Sequence, residues 1–185
     1  MRSVICAVLI LLLPATLLGI PTIGIYFQRA EMHYRPMLGE SFSGYVFVHR
    51  WDCLLTAIEF AVTWPEDCII FAGWSSPEDY LSQGYLPGGV SITWWPPISD
   101  FEVPFHLVAT MDFFATCTCL DYGGTLADMP MRIIPDPGAV PAGEVWGTCY
   151  PDNGLIPFIG QTSIICPHLI ATEEHSWGAI KDLYE

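Results

Sequence analysis

Basic residues are what this 185-residue sequence has least of: six Lys and Arg stand against twenty Asp and Glu, for a formal net charge of −14. Nucleic-acid binding rests on Lys and Arg at phosphates, so a nucleic-acid partner is excluded, and an anionic membrane surface with it. Catalytic signatures are missing as well. The chain has no Gly-x-Ser-x-Gly elbow for a nucleophilic serine. His33, His49, His106, His168 and His175 include no pair at the three- or four-residue spacing that sets two ligands on one helical face. Only a bipartite site assembled in space, from strand residues such as His49 and His106, stays open. Cys117-Thr118-Cys119 lacks the second knuckle that a zinc site needs. Glu66-Asp67 and Glu78-Asp79 are adjacent carboxylates in turn sequences, whereas a glycosidase sets two carboxylates across a cleft. No internal repeat or low-complexity tract is present.

What is there begins with a leader. Arg2 supplies a positive n-region, Val4 to Leu13 an apolar run, and Pro14-Ala15-Thr16 leads to small residues. The pattern predicts a signal peptide over residues 1–19, cut after Gly19, with Ala15 as the alternative. A retained anchor competes with this reading. However, Pro14, Gly19, Pro21 and Gly24 are poor material for the roughly 20-residue apolar helix that spans a bilayer. Cleavage leaves about 166 residues, one domain's length. With Arg2 lost, five basic residues face twenty acidic ones, a net charge of −15 that favours solubility, cations or a basic partner.

Cys6 leaves with the leader, and the six that stay are Cys53, Cys68, Cys117, Cys119, Cys149 and Cys166. An even set in an exported domain predicts disulfides. Cys53 and Cys68 sit at opposite ends of a candidate strand, roughly 30 Å apart at ~3.3 Å per residue, and are not expected to pair. Cys117 and Cys119 share one face and are expected to reach neighbouring strands. Cys149 with Cys166 is the preferred pair, closing a loop around Pro151-Asp152-Asn153-Gly154.

The rest of the chain alternates short apolar runs with turn residues. Candidate strands are Ile23–Phe27, Ser43–His49, Leu54–Trp64, Cys68–Gly73, Val90–Trp95, Phe105–Cys119, Met131–Ile134 and Ile164–Cys166. Tyr80–Gly89, ending in Pro87-Gly88-Gly89, reads as a loop. About seven to nine strands rich in Val, Ile, Thr and aromatics predict an all-β antiparallel sandwich over residues 20–167. The signal helix precedes it. A tail over 168–185 follows, with one short helix capped by Ser176 and Trp177, Ile180 and Tyr184 on its docking face.

Two further features bear on binding. Trp94 and Trp95 are adjacent in a strand, so one must face outward, as a platform for a pyranose ring or an anchor for a protein. The competing reading covers that ring with the Tyr80–Gly89 loop. Asp152-Asn153-Gly154 and Asp121-Tyr122-Gly123-Gly124 offer oxygen ligands for calcium, but neither has the spaced acidic loop of a dedicated site, and both are ordinary turn chemistry. No cofactor is expected.

The order of segments resembles a known group. It runs from the leader through Gly24-Ile25-Tyr26-Phe27 and Leu54-Leu55-Thr56-Ala57-Ile58-Glu59-Phe60 to Leu107-Val108-Ala109-Thr110-Met111-Asp112-Phe113. It closes on Cys166-Pro167 and then Ala171 to Tyr184, containing Trp177-Gly178-Ala179-Ile180-Lys181-Asp182-Leu183-Tyr184. This resembles uncharacterised, secreted, single-domain proteins of largely uncultivated bacterial lineages, with a cohesin-like β-sandwich and a Thr-x-Trp-Gly-x-x-Lys-x-Leu-Tyr tail. The chain departs from the group in having no cysteine near Glu31–His33 and in ending on Glu185. The resemblance implies fold and export and transfers no catalytic residue. The expected function is an exported, non-catalytic binding or scaffolding module that recognises a protein or glycan at or near the cell surface. A secreted glycan-active hydrolase and a self-associating structural surface protein are the alternatives.

Overall fold

Alternation of apolar and polar side chains drives this chain into strands wherever turn residues leave it room. A computed structural model describes residues 20–27, 31–86, 88–99, 105–117, 129–139 and 142–165. The leader and the tail, with the helices expected in each, lie outside the described residues. So do Cys119 and Cys166.

Twelve strands are present among the described residues: β1 (Thr22–Tyr26), β2 (His33–Tyr34), β3 (Ser41–His49), β4 (Leu54–Thr63), β5 (Ile69–Ser75), β6 (Tyr80–Tyr85), β7 (Gly89–Ile98), β8 (His106–Ala115), β9 (Met129–Ile134), β10 (Val145–Tyr150), β11 (Gly154–Gly160) and β12 (Thr162–Ile165). One layer runs β1-β3-β8-β5, all antiparallel. The other runs β6-β7-β4-β10-β11, again antiparallel. β4 pairs with β7 and β10 along its first part, and its last residues, Ala61–Thr63, pair with β9. β9 carries β12, which carries β2. The layers join at a seam where β1 runs parallel to the end of β11.

Every second side chain of a strand faces the same way, and the inward set makes one core. Ile23, Ile25, Val46, Val48, Met111 and Phe113 from one layer meet Leu55, Ile58, Phe60 and Ile92 from the other. Each such side chain contributes about 1.5–3 kcal/mol on burial. Buried polar atoms are partnered. His49 Nε2 lies 2.7 Å from Thr22 Oγ1 and 3.2 Å from the Tyr26 hydroxyl. Tyr26 in turn donates to Gln161 Oε1 at 3.0 Å. Burial holds the Tyr26 hydroxyl above its ordinary pKa. No helix among the described residues is long and apolar enough to cross a membrane.

The all-β sandwich was expected; its strand number was not. Twelve strands replace the seven to nine predicted, for three physical reasons. Tyr80–Tyr85 is no loop: it is edge strand β6, paired residue for residue with β7 despite Gly84. Val145–Gly160, where only the Pro151–Gly154 loop was expected, is the hairpin β10–β11, in which Pro157 and three glycines hide the alternation. β2 is two residues long, too short for a sequence period. Elsewhere β7 runs through Pro96 and Pro97 to Ile98, and β8 ends at Ala115 rather than Cys119.

Candidate functional site

The candidate site is the outer face of the β6-β7-β4-β10-β11 layer. These five strands carry one charged residue, Glu59, in a chain with twenty-six. The face is therefore almost free of charge. Register lines up Leu81, Thr93, Ala57, Thr148 and Leu155 in one row across all five strands. Leu81 and Leu155 stand exposed at its two ends.

The centre of the face is aromatic. Trp94 and Trp95 part as adjacent strand residues do: Trp94 is 3% exposed and Trp95 67%. Trp94 Nε1 donates to the Leu55 carbonyl at 2.9 Å, and its ring stacks on Tyr80 at 5.2 Å. Trp95 stands edge-on to Tyr150, 5.6 Å between centroids and 76° between planes. Tyr150 is paired with Leu54, and both are exposed, so Trp95, Tyr150 and Leu54 form one open apolar platform. β6 does not cover it; exposed Leu81, paired with Thr93, extends the apolar surface.

A covalent bond sets the platform's geometry. Cys53 is bonded to Cys149 with Cα atoms 5.8 Å apart. Each cysteine immediately precedes a platform residue, Leu54 and Tyr150. The preferred Cys149–Cys166 pair is thus corrected: antiparallel pairing of β4 with β10 sets Cys149 against the start of β4. Cys68 is bonded to Cys117, with Cα atoms 5.1 Å apart, across the end of the β5–β8 pair. Cys53 and Cys68 do not pair with each other.

The remaining expected residues scatter. His106 is paired with Val48 and accepts the Tyr80 hydroxyl on Nε2, while His49 joins Thr22 and Tyr26, so the two histidines serve different partners. Burial lowers the His106 pKa and raises that of Tyr80. Glu66, Asp67, Glu78 and Asp79 are exposed in turns. Asp152 and Asn153 lie exposed in the β10–β11 turn, and Asn153 takes a φ of 53°. Among the described residues no three His, Cys, Asp or Glu side chains gather as metal ligands. The Asp121–Gly124 turn and the docking residues Trp177, Ile180 and Tyr184 lie outside the described residues.

Sequence reasoning missed Tyr150, Leu54, Leu81 and Leu155. Trp146, Thr148 and Tyr150 do alternate with the inward Val145, Gly147 and Cys149, a period-2 signal interrupted only by the glycine.

No family model matches this chain, and no curated protein does. Solved structures do. A type II cohesin domain from the cellulosome of Acetivibrio cellulolyticus superposes with a TM-score of 0.55 at 9% identity, covering 83% of this chain and 99% of that one. The cohesin module of a Clostridium perfringens family 33 glycoside hydrolase gives 0.54 at 8% identity, covering 80% and 96%. The sixth cohesin of scaffoldin B from Acetivibrio cellulolyticus, solved in complex with a Cel5 dockerin, gives 0.51 at 8% identity, covering 81% and 100%. At these identities the likeness is one of fold, and the fold of this chain is a cohesin-like β-sandwich.

Proposed function

We propose that this chain is an exported, non-catalytic module that binds a protein partner through the Trp95–Tyr150–Leu54 platform. One observation carries the reading: an exposed tryptophan braced by a tyrosine on a sheet face almost free of charge. Apolar patches of this kind, rimmed by polar residues, mark interaction sites, and Trp and Tyr lead the residues that dominate binding energy. Three further features support it. The sandwich is cohesin-like, and neighbours of that fold were solved with dockerins. The two disulfides suit an oxidising compartment outside the cytosol. An acidic chain around a face almost free of charge would also repel acidic competitors.

A photo-crosslinking side chain at position 95, in protein exported by its own cells, tests this. One protein should be captured, and the same one from position 150. No protein captured from either position would refute the platform. Glycan binding is the second reading, favoured by the open Trp95 ring. Retention on a glycan array that disappears in Trp95→Ala, with no protein crosslink, would select it.

A further inference from the structure

The seam between the layers holds a second feature, separate from the platform. A groove of about 670 Å³ opens along the free edge of β11, with an apolar floor from Ile20, Ile133, Ile156, Phe158 and Ile159. Its wall carries two carboxylates, Asp52 and Glu144. Its volume is in the range of small-molecule and peptide sites. Among the described residues neither carboxylate has an ion-pair partner.

β1 covers β11 only at Ile159 and Gly160, and Ile159 N–H donates to the Pro21 carbonyl at 2.9 Å. From Gly154 to Phe158 that side of β11 carries no strand among the described residues. Pro157, two residues before Ile159, faces the same side and has no N–H to offer. A proline there makes the edge a poor template for an added strand. Whatever occupies the groove is therefore held by side chains rather than by a ladder.

We infer that this groove binds an extended peptide segment of another protein in which one Lys or Arg is flanked by aliphatic residues. The aliphatic side chains fill the floor between Ile20, Ile156 and Ile159, and the cationic head reaches Asp52 and Glu144. Charge decides the chemistry. Among the described residues the groove's charged side chains, Asp52 and Glu144, are both acidic, and the α-amino group that cleavage after Gly19 leaves on Ile20 offsets only one of them. A basic head therefore gains charge-assisted contacts and an acidic one is repelled.

Fluorescence polarisation with labelled Ser-Val-Lys-Val-Ser and Ser-Val-Glu-Val-Ser peptides on the full exported protein tests the assignment. The lysine peptide should bind at least tenfold more tightly. The variant Asp52→Asn/Glu144→Gln should weaken it about tenfold, the size expected for loss of a charged contact. Ile159→Ser, which removes a half-exposed apolar side chain without adding charge, should weaken it similarly. Glu66→Gln/Asp67→Asn removes the same charge from a distant turn and should change it less than twofold. Equal loss in that control would show attraction by the whole acidic chain and overturn the site. Equal binding of both peptides, or an unaffected Ile159→Ser, would do the same. Tighter binding by Trp177→Ala/Lys181→Ala would show the chain's own C-terminal segment competing for the groove, which would overturn assignment to a partner.

Discussion

Replacing Cys53 and Cys149 by alanine is expected to destabilise the domain by about 4 kcal/mol, and the nesting of the two bridges sets that figure. Cys53–Cys149 spans 96 residues and Cys68–Cys117 spans 49, the second ring lying wholly inside the first. Alone, the outer ring restricts the unfolded chain by about 4.7 kcal/mol on the loop-entropy relation, and the inner ring by about 4.1 kcal/mol. With the inner bridge closed, the unfolded outer ring shrinks to the 15 residues from Cys53 to Cys68 and the 32 from Cys117 to Cys149. Its contribution then falls to about 4.1 kcal/mol. Removing the inner bridge instead lengthens the outer ring and costs about 3.5 kcal/mol, so Cys68→Ala/Cys117→Ala is the milder variant. Against a typical domain stability of about 5–15 kcal/mol, either loss is large. Urea unfolding followed by tryptophan fluorescence reads it: at a slope of about 2 kcal/mol per molar, the midpoint should fall by about 2 M. Variants whose midpoints stay with the parent protein would refute the reasoning, since bridges that constrain nothing in the unfolded chain are bridges that do not form.

Other outcomes follow from single side chains. Trp94→Ala should cost about 3–5 kcal/mol, because it empties a buried site and strands the Leu55 carbonyl; Trp95→Ala, on the exposed side, should stay within about 0.5 kcal/mol. Gly147→Ala should destabilise by about 1–3 kcal/mol by overpacking, since a Cβ there would meet Phe158 Cε2 at 2.6 Å and Leu55 Cδ1 at 2.8 Å; thermal melts read both. Burial lowers the His106 pKa in the fold, so the unfolded chain binds this proton first. Its contribution is present above the unfolded pKa of about 6.5 and is lost as pH falls through the lower folded value. His106→Phe should flatten stability against pH in that window, and an unchanged slope would exclude His106 as its source.

The sandwich class and most strands were legible because alternation survives in β3, β4 and β8, where Phe42, Val46, Val48, Ile58, Phe60, Met111 and Phe113 repeat at every second position. Half of the platform was legible for the same reason, since two adjacent tryptophans in a strand cannot share a face. The other half was hidden. Tyr150 and Leu155 sit on a hairpin whose glycines and Pro157 hide the alternation, and only pairing to β4 shows that they lie beside Leu54. The disulfide that fixes them was hidden as well. Cys53 and Cys149 meet through a pairing 96 residues apart, which local spacing does not encode, whereas Cys149 and Cys166 merely look close in sequence. The groove has no linear signature, because Ile20, Asp52, Glu144 and Ile159 come together only at the seam.

The account's centre is that binding energy concentrates on Trp95. Ile70, half-exposed on the outer face of the opposite layer, is the matched control. Affinity of the protein captured by the position-95 crosslink, measured by calorimetry for Trp95→Ala and Ile70→Ala, tests this most directly. A central anchor contributes about 2 kcal/mol or more, so Trp95→Ala should weaken binding about thirtyfold and Ile70→Ala less than twofold. Loss with Ile70→Ala and none with Trp95→Ala would place the partner on the other face and contradict the account.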